Sequence, residues 1–199
     1  MKIALFGGSF NPPHNGHIHA IKKLAHLKEF DEVWIIPSAQ HPFNKDLAPF
    51  KARVHMLELC LKNIKKVKII KIENELPKPN KTIDTIHALK KEFPTHAFSF
   101  IIGSDLLEEI RKWKDYKKIE SEVEIIVMVR KKIKHKKSPY RMLRLDLPGI
   151  SSSDIREDSK RNVQYVPKNI QEIVRKFYCK LGLLPRWRAH FWFEIVIVR

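Results

Sequence analysis

Acidic residues and cysteines are scarce in this chain. Twenty-two aspartates and glutamates stand against 39 lysines and arginines in 199 residues, a formal charge of +17. The two cysteines, Cys60 and Cys179, show neither a pairing pattern nor metal-ligand spacing. That excludes a disulfide framework and a cysteine-based zinc site, and reads both as buried thiols in a reducing compartment. Long hydrophobic runs are missing too. The apolar start at 3–6 stops at Gly7, short of a signal peptide, and the apolar run inside 185–199 is too short to span a bilayer. A cytoplasmic protein with no membrane partner is expected. The excess of positive charge admits nucleic acid, and the cluster at 131–137 is of the kind that follows phosphate backbones. The lysines are nevertheless spread over the whole chain, and no aromatic array accompanies the cluster. Nucleic acid is therefore not an expected partner, and attraction of small anionic substrates is the more economical use of the charge.

The chain is long enough for one sizeable core, and 43% hydrophobic residues is ordinary for a globular fold. We read 1–184 as one domain and 185–199 as an unassigned apolar and basic tail. Apolar strand candidates fall at 3–6, 33–36, 67–72, 98–102, 124–129 and 144–147, and helical spacing at 17–27, 51–63, 82–92, 106–113 and 167–180, with Pro167 suited to a first helical turn. Alternation of this kind, with strands almost continuously apolar, predicts an α/β fold: a Rossmann-like, doubly wound parallel sheet with helices on both faces. Ligands of such sheets bind outside the carboxyl ends of the strands. Gly7-Gly8 and Gly103-Ser104-Asp105 sit at two such ends.

The run Gly7-Gly8-Ser9-Phe10-Asn11-Pro12-Pro13-His14-Asn15-Gly16-His17 follows the first strand directly. Gly7 and Gly8 are expected to let the backbone bend and bring its N–H groups up to an anion. A helix starting near Asn15 would turn its positive dipole end toward the same spot, with His14 and His17 on one face of its first turn. Both histidines can donate to phosphate oxygens. An ordinary tight turn would leave the two histidines without a partner, and a metal site built on His14, His17 and His19 has no nearby cysteine or carboxylate. A second anion site is read at Ile150-Ser151-Ser152-Ser153-Asp154-Ile155-Arg156, where serine hydroxyls open a helix and Arg156 brings a fork of donors one turn on. Plain N-capping by Ser151 with Asp154 is the competing reading there.

His14-Asn15-Gly16-His17 with its preceding residues resembles the HxGH signature of the nucleotidyltransferase superfamily. Residues 150–156 are similar to the ISSTxIR motif of its adenylyltransferases. Ile101-Ile102-Gly103-Ser104-Asp105 followed by Trp113, Lys81-Thr82-Ile83-Asp84-Thr85, and His41-Pro42-Phe43-Asn44-Lys45 followed by Arg53-Val54-His55-Met56 resemble segments of the bacterial nicotinate-mononucleotide adenylyltransferases. The resemblance runs from Met1 to about Gly182. Phe43-Asn44, Lys81 and Asn11 depart from the usual residues of that pattern.

The resemblance implies adenylyl transfer from ATP to nicotinate mononucleotide, giving nicotinate adenine dinucleotide and pyrophosphate, with Mg²⁺ accompanying the ATP. It implies His14, His17 and Arg156 as catalytic residues. ATP would be held by Gly7, Gly8, Ser9, Phe10, Gly16, Gly103, Asp105, Ser151, Ser152 and Ser153. The mononucleotide would be held by Lys45, Thr82, Asp84, Thr85, Trp113 and Lys114. No residue is assigned as a metal ligand. Trp113 would stack on the pyridine ring, although a core role at a helix end would also explain a tryptophan there. Nicotinamide mononucleotide or phosphopantetheine as acceptor, a basic nucleic-acid-binding module on the same fold, and a homo-oligomer all remain open at this point.

Overall fold

The computed structural model describes residues 1–40, 47–129, 138–144 and 150–181. Lys45, the basic cluster at 131–137, Gly149 and the tail lie outside them. Six strands form a single sheet: β1 (Lys2–Gly8), β2 (Glu32–Pro37), β3 (Val67–Ile69), β4 (Ala97–Gly103), β5 (Glu124–Val129) and β6 (Arg141–Arg144), in the order β3-β2-β1-β4-β5-β6. Every neighbouring pair is parallel. The helices are α1 (Asn15–His26), α2 (Phe50–Leu61), α3 (Thr82–Glu92), α4 (Tyr116–Glu122), α5 (Ser152–Glu157) and α6 (Gln171–Leu181).

A parallel sheet must be covered on both faces, and the buried side chains sort accordingly. On one face Ile83, Ile86 and Leu89 of α3 and Ile119 of α4 pack with Ile3, Leu5, Phe98, Phe100 and Ile102. On the other, Ile18, Ile21 and Leu24 of α1 and Leu57 and Leu61 of α2 pack with Ala4, Phe6, Val33, Ile35 and Ile126. A third cluster ties α2 to the C-terminal helices through Met56, Ile155, Val174 and Tyr178. The chain leaves β1 toward β2 on one side and reaches β4 on the other, so the sheet reverses its winding between β1 and β4. Crevices at such a reversal are where ligands bind in doubly wound sheets.

Three elements depart from the sequence-based expectation. Residues 106–113 are two 3-10 turns, Ser104–Leu106 and Ile110–Lys112, rather than one helix. The apolar residues Leu107, Ile110 and Trp113 recur every third position, which suits three residues per turn, and Ile110 is fully buried. The helix in this region is α4, which has one buried residue, Ile119, too few to mark a period. Strand β6 lies at Arg141–Arg144, paired with Ile126–Val129; of the strand expected at 144–147, only Arg144 is among the described residues. Strand β3 ends at Ile69, and Ile72 already belongs to a 3-10 turn. Pro167 is extended, at φ −52° and ψ 135°, ahead of a 3-10 turn that leads into α6.

Candidate active site

The loop after β1 turns by a different device from the one its glycines suggest. Gly7 and Gly8 complete the strand, and no glycine among the described residues has positive φ; the left-handed residue is Phe10, at φ 46°. Gly8 serves by lacking a side chain: whereas a Cβ on Gly7 would meet ordinary contacts, 3.8 Å from Phe100, one on Gly8 would stand 3.2 Å from the Phe10 ring. That ring is buried and meets His17 edge-on at 5.0 Å, so apolar packing holds Phe10 in its strained conformation.

His14 is the N-cap of α1. Its Nδ1 accepts from the His17 N–H at 3.4 Å, and His17 Nδ1 accepts from the His14 N–H at 3.3 Å, a reciprocal capping box made by two imidazoles. The rings stack 3.7 Å apart, 25° from parallel. A ring nitrogen that accepts a backbone N–H carries no proton, so the neutral form of each ring bears its proton on Nε2. The helix start therefore carries two stacked rings with Nε2 as the protonated nitrogen of the neutral form, beside the N–H groups of Asn15 and Gly16 at its positive end.

Helix α5 docks onto this loop. Arg156 donates through one terminal nitrogen to Asn11 O at 2.6 Å and through the other to Ser153 Oγ at 3.0 Å, and Ser152 Oγ donates to Pro12 O at 2.9 Å. The two motifs, 140 residues apart in sequence, share one patch of backbone. Ser151 does what the capping alternative describes: its hydroxyl caps Asp154 N–H, and Asp154 Oδ2 accepts from the Ser151 N–H at 2.8 Å. The Ser151 hydroxyl and N–H hold the Asp154 carboxyl below its ordinary range, and the nearby His14 lowers it further.

Asn11 and Arg53 anchor the loop from beneath, and sequence reasoning assigned neither. Asn11 Oδ1 accepts from Ala48 N–H at 3.1 Å and from Tyr178 Oη at 2.7 Å. Arg53 is 1% exposed and donates to three backbone carbonyls: Ala48 at 2.9 Å, Ser9 at 2.7 Å and Ser38 at 2.8 Å. Burial pulls its pKa down to about 10, which leaves it charged at neutral pH. A signal was present in the sequence, for an arginine stands one helical turn from Met56 and Leu57 on the apolar face of α2.

The residues expected around the acceptor lie on the opposite face. Thr82 opens α3; Asp84 Oδ2 accepts the Lys81 N–H at 2.8 Å and so caps that helix. Thr85 is buried and its hydroxyl donates to Glu73 Oε1 at 3.3 Å. Trp113 is half-buried, packs on the core that contains α3 and meets Phe100 edge-on at 6.1 Å, with Lys114 exposed beside it. Gly103 ends β4 with the Asp105 carboxylate folded over it, so that a Cβ at 103 would fall 2.3 Å from Asp105 Oδ1. Among the described residues, no group of three or more His, Cys, Asp or Glu side chains could hold a metal ion.

Cys60 is remote from this chemistry. Burial pushes its thiol up to about 12, so at pH 8 only about one molecule in ten thousand carries the reactive thiolate. Peptide mapping after iodoacetamide treatment of the folded protein is expected to find Cys60 unmodified, and fully modified once the chain is denatured.

Residues 5–158 match the cytidylyltransferase-like family model. A probable nicotinate-nucleotide adenylyltransferase of Anaeromyxobacter sp. is 39% identical over 158 residues, which is 78% of this chain and 82% of that one. The nicotinate-nucleotide adenylyltransferase of Bacillus subtilis is 34% identical over 188 residues, 92% of this chain and 97% of that one. In structure, the nicotinic acid mononucleotide adenylyltransferase of Plasmodium falciparum, complexed with NaAD, superposes with a TM-score of 0.74 at 24% identity over 89% of this chain and 95% of that one.

Proposed function

The chain belongs to the nicotinate-nucleotide adenylyltransferases of the cytidylyltransferase-like family, and on that premise we propose that it joins ATP to nicotinate mononucleotide at the β1–β4 edge. The phosphate of the mononucleotide attacks the α-phosphorus of ATP in line, forming nicotinate adenine dinucleotide and releasing pyrophosphate. The attacking oxygen is already ionised at neutral pH, so no general base or protein nucleophile is needed. Rate acceleration comes from alignment and from donors aimed at the charge that develops on phosphate oxygens.

One observation carries this reading: α5 docks through Arg156 and Ser152 on the backbone of residues 11–12, two residues ahead of His14, the N-cap of the helix that bears the imidazole pair. His14 and His17 supply Nε2–H donors for the α-phosphate. Arg156 and Ser152 grip the β- and γ-phosphates, the serine by turning its one hydroxyl proton away from Pro12 O; among the described residues, docking takes two of the five N–H donors of the arginine. Mg²⁺ is expected to take its ligands from triphosphate oxygens and water, as that ion prefers. Among the described residues, no helix is long and apolar enough to cross a membrane.

On the acceptor side, the indole of Trp113 offers its face to the pyridinium ring. Loss of a cation–π contact of about 0.5–2 kcal/mol corresponds to a roughly 2- to 30-fold weaker hold. Trp113→Ala is therefore expected to raise KM for nicotinate mononucleotide by that factor with little change for ATP; equal losses for both would make Trp113 a packing residue. The activity itself is tested by pyrophosphate release from ATP with nicotinate mononucleotide, nicotinamide mononucleotide and phosphopantetheine in parallel. Turnover is expected with the first at well above the rate of the other two. Release with none of them, together with salt-dependent RNA binding, would overturn the reading.

A further inference from the structure

The peptide unit joining Ser38 to Ala39 is held at both ends by opposite charges. Its carbonyl oxygen accepts from Arg53 at 2.8 Å, and its N–H donates to Glu73 Oε2 at 3.0 Å. The same arginine reaches Ser9 O at 2.7 Å, and the Ser38 N–H donates to Gly8 O at 2.9 Å. On the far side, Glu73 Oε1 accepts from the Thr85 hydroxyl at 3.3 Å. A continuous line of hydrogen bonds therefore runs from the loop that carries the histidines, through one peptide plane, to the first turn of α3. We infer that Arg53 and Glu73 are positioning residues that act through the Ser38–Ala39 peptide to couple the triphosphate loop to the acceptor seat. This rests on the assignment of those two seats under the proposed function.

The physical reason is mutual polarisation. A guanidinium on the carbonyl and a carboxylate on the N–H reinforce one peptide dipole, and each bond strengthens the other where water is scarce. Arg53 has no carboxylate within hydrogen-bonding distance among the described residues; its three acceptors are all carbonyls, and Glu73 is the negative charge that acts on it from across the peptide. Burial pushes the Glu73 carboxyl upward against the lowering by Ala39 N–H, Thr85 and Arg53. Such a pair is poorly placed as a mere stabiliser, since burying separated charges is costly. It is well placed to make displacement of either loop felt at the other.

The test is a pair of conservative variants, Glu73→Gln and Arg53→Lys, and their combination. Kinetics are measured for both substrates, and amide exchange is followed at Ala39 in the ligand-free protein. Although the Glu73 carboxylate bonds to Thr85 and the Ala39 N–H rather than to the histidine loop, Glu73→Gln is expected to raise KM for ATP and lower kcat, by roughly 3- to 30-fold in kcat/KM. Arg53→Lys is expected to weaken the mononucleotide as well as ATP. The double variant should be no worse than the poorer single one, and exchange at Ala39 should quicken in all three. Losses confined to the substrate nearest each residue, losses that multiply in the double variant, or a lowered melting temperature with unchanged kinetics would each overturn the coupling. If the parent protein releases no pyrophosphate with any acceptor, the proposed reaction fails. The array is then judged on exchange at Ala39 and on calorimetric ATP binding by Glu73→Gln: faster exchange with weakened binding sustains it, and either one unchanged overturns it.

Discussion

Changing His17 to alanine is expected to slow turnover at least about a hundredfold, the effect of removing one aligned donor worth about 2.7–4 kcal/mol in the transition state. The alanine also removes the acceptor for the His14 N–H, a capping loss of about 1 kcal/mol. Two further variants separate these effects. Asparagine places an amide oxygen where Nδ1 stood and lacks anything at Nε2, whereas glutamine reaches the Nε2 position and gives up the cap. His17→Asn should therefore melt like the parent and remain as slow as the alanine form, and His17→Gln should recover part of the rate. Near-parental turnover in His17→Asn would remove the imidazole from the chemistry and leave it a capping residue only. Steady-state pyrophosphate release and a thermal melt on the same preparations decide the matter.

A loss of similar size, about a hundredfold in kcat/KM for ATP, is expected for Arg156→Ala, since this side chain docks α5 on Asn11 O and, in the proposed reaction, offers charged donors to the triphosphate. Lysine keeps the charge and lacks the planar fork, so Arg156→Lys should restore little. Added guanidinium at a non-denaturing concentration should restore part of the rate of the alanine form and none of the parent's. If lysine restores the full rate, a point charge suffices and the two-pronged grip is wrong. If the alanine form loses stability but keeps its KM for ATP, Arg156 serves docking alone.

Most of the sheet and the helix starts at His14 and Ser151 were legible in the sequence because they rest on local patterns. Buried parallel strands appear as apolar runs, and Ser151 with Asp154 has the spacing of a cap. The double turn at 104–113 was not legible as such, because Leu107, Ile110 and Trp113 satisfy a helical stripe nearly as well as a threefold one, and only the burial of Ile110 against the sheet chooses between them. The bend at Phe10 was hidden for a related reason. Two adjacent glycines advertise flexibility, yet the conformation is imposed on an aromatic residue by rings that arrive from β1 and α1. Arg53 and Glu73 escaped because their significance lies in a peptide plane between them, which no spacing along the chain encodes. Asp84 has a local task that its spacing from Lys81 does not announce, for it caps α3.

The bond from Tyr178 to Asn11 spans 167 positions and has a consequence for the order of events during synthesis. The loop that would grip ATP leaves the ribosome well before α6, and it acquires this hydroxyl only when α6 has emerged and settled. A nascent chain can thus complete its sheet, whose last strand ends at Arg144, before this anchor of the loop arrives from the carboxyl side. Contacts of such long sequence separation close slowly.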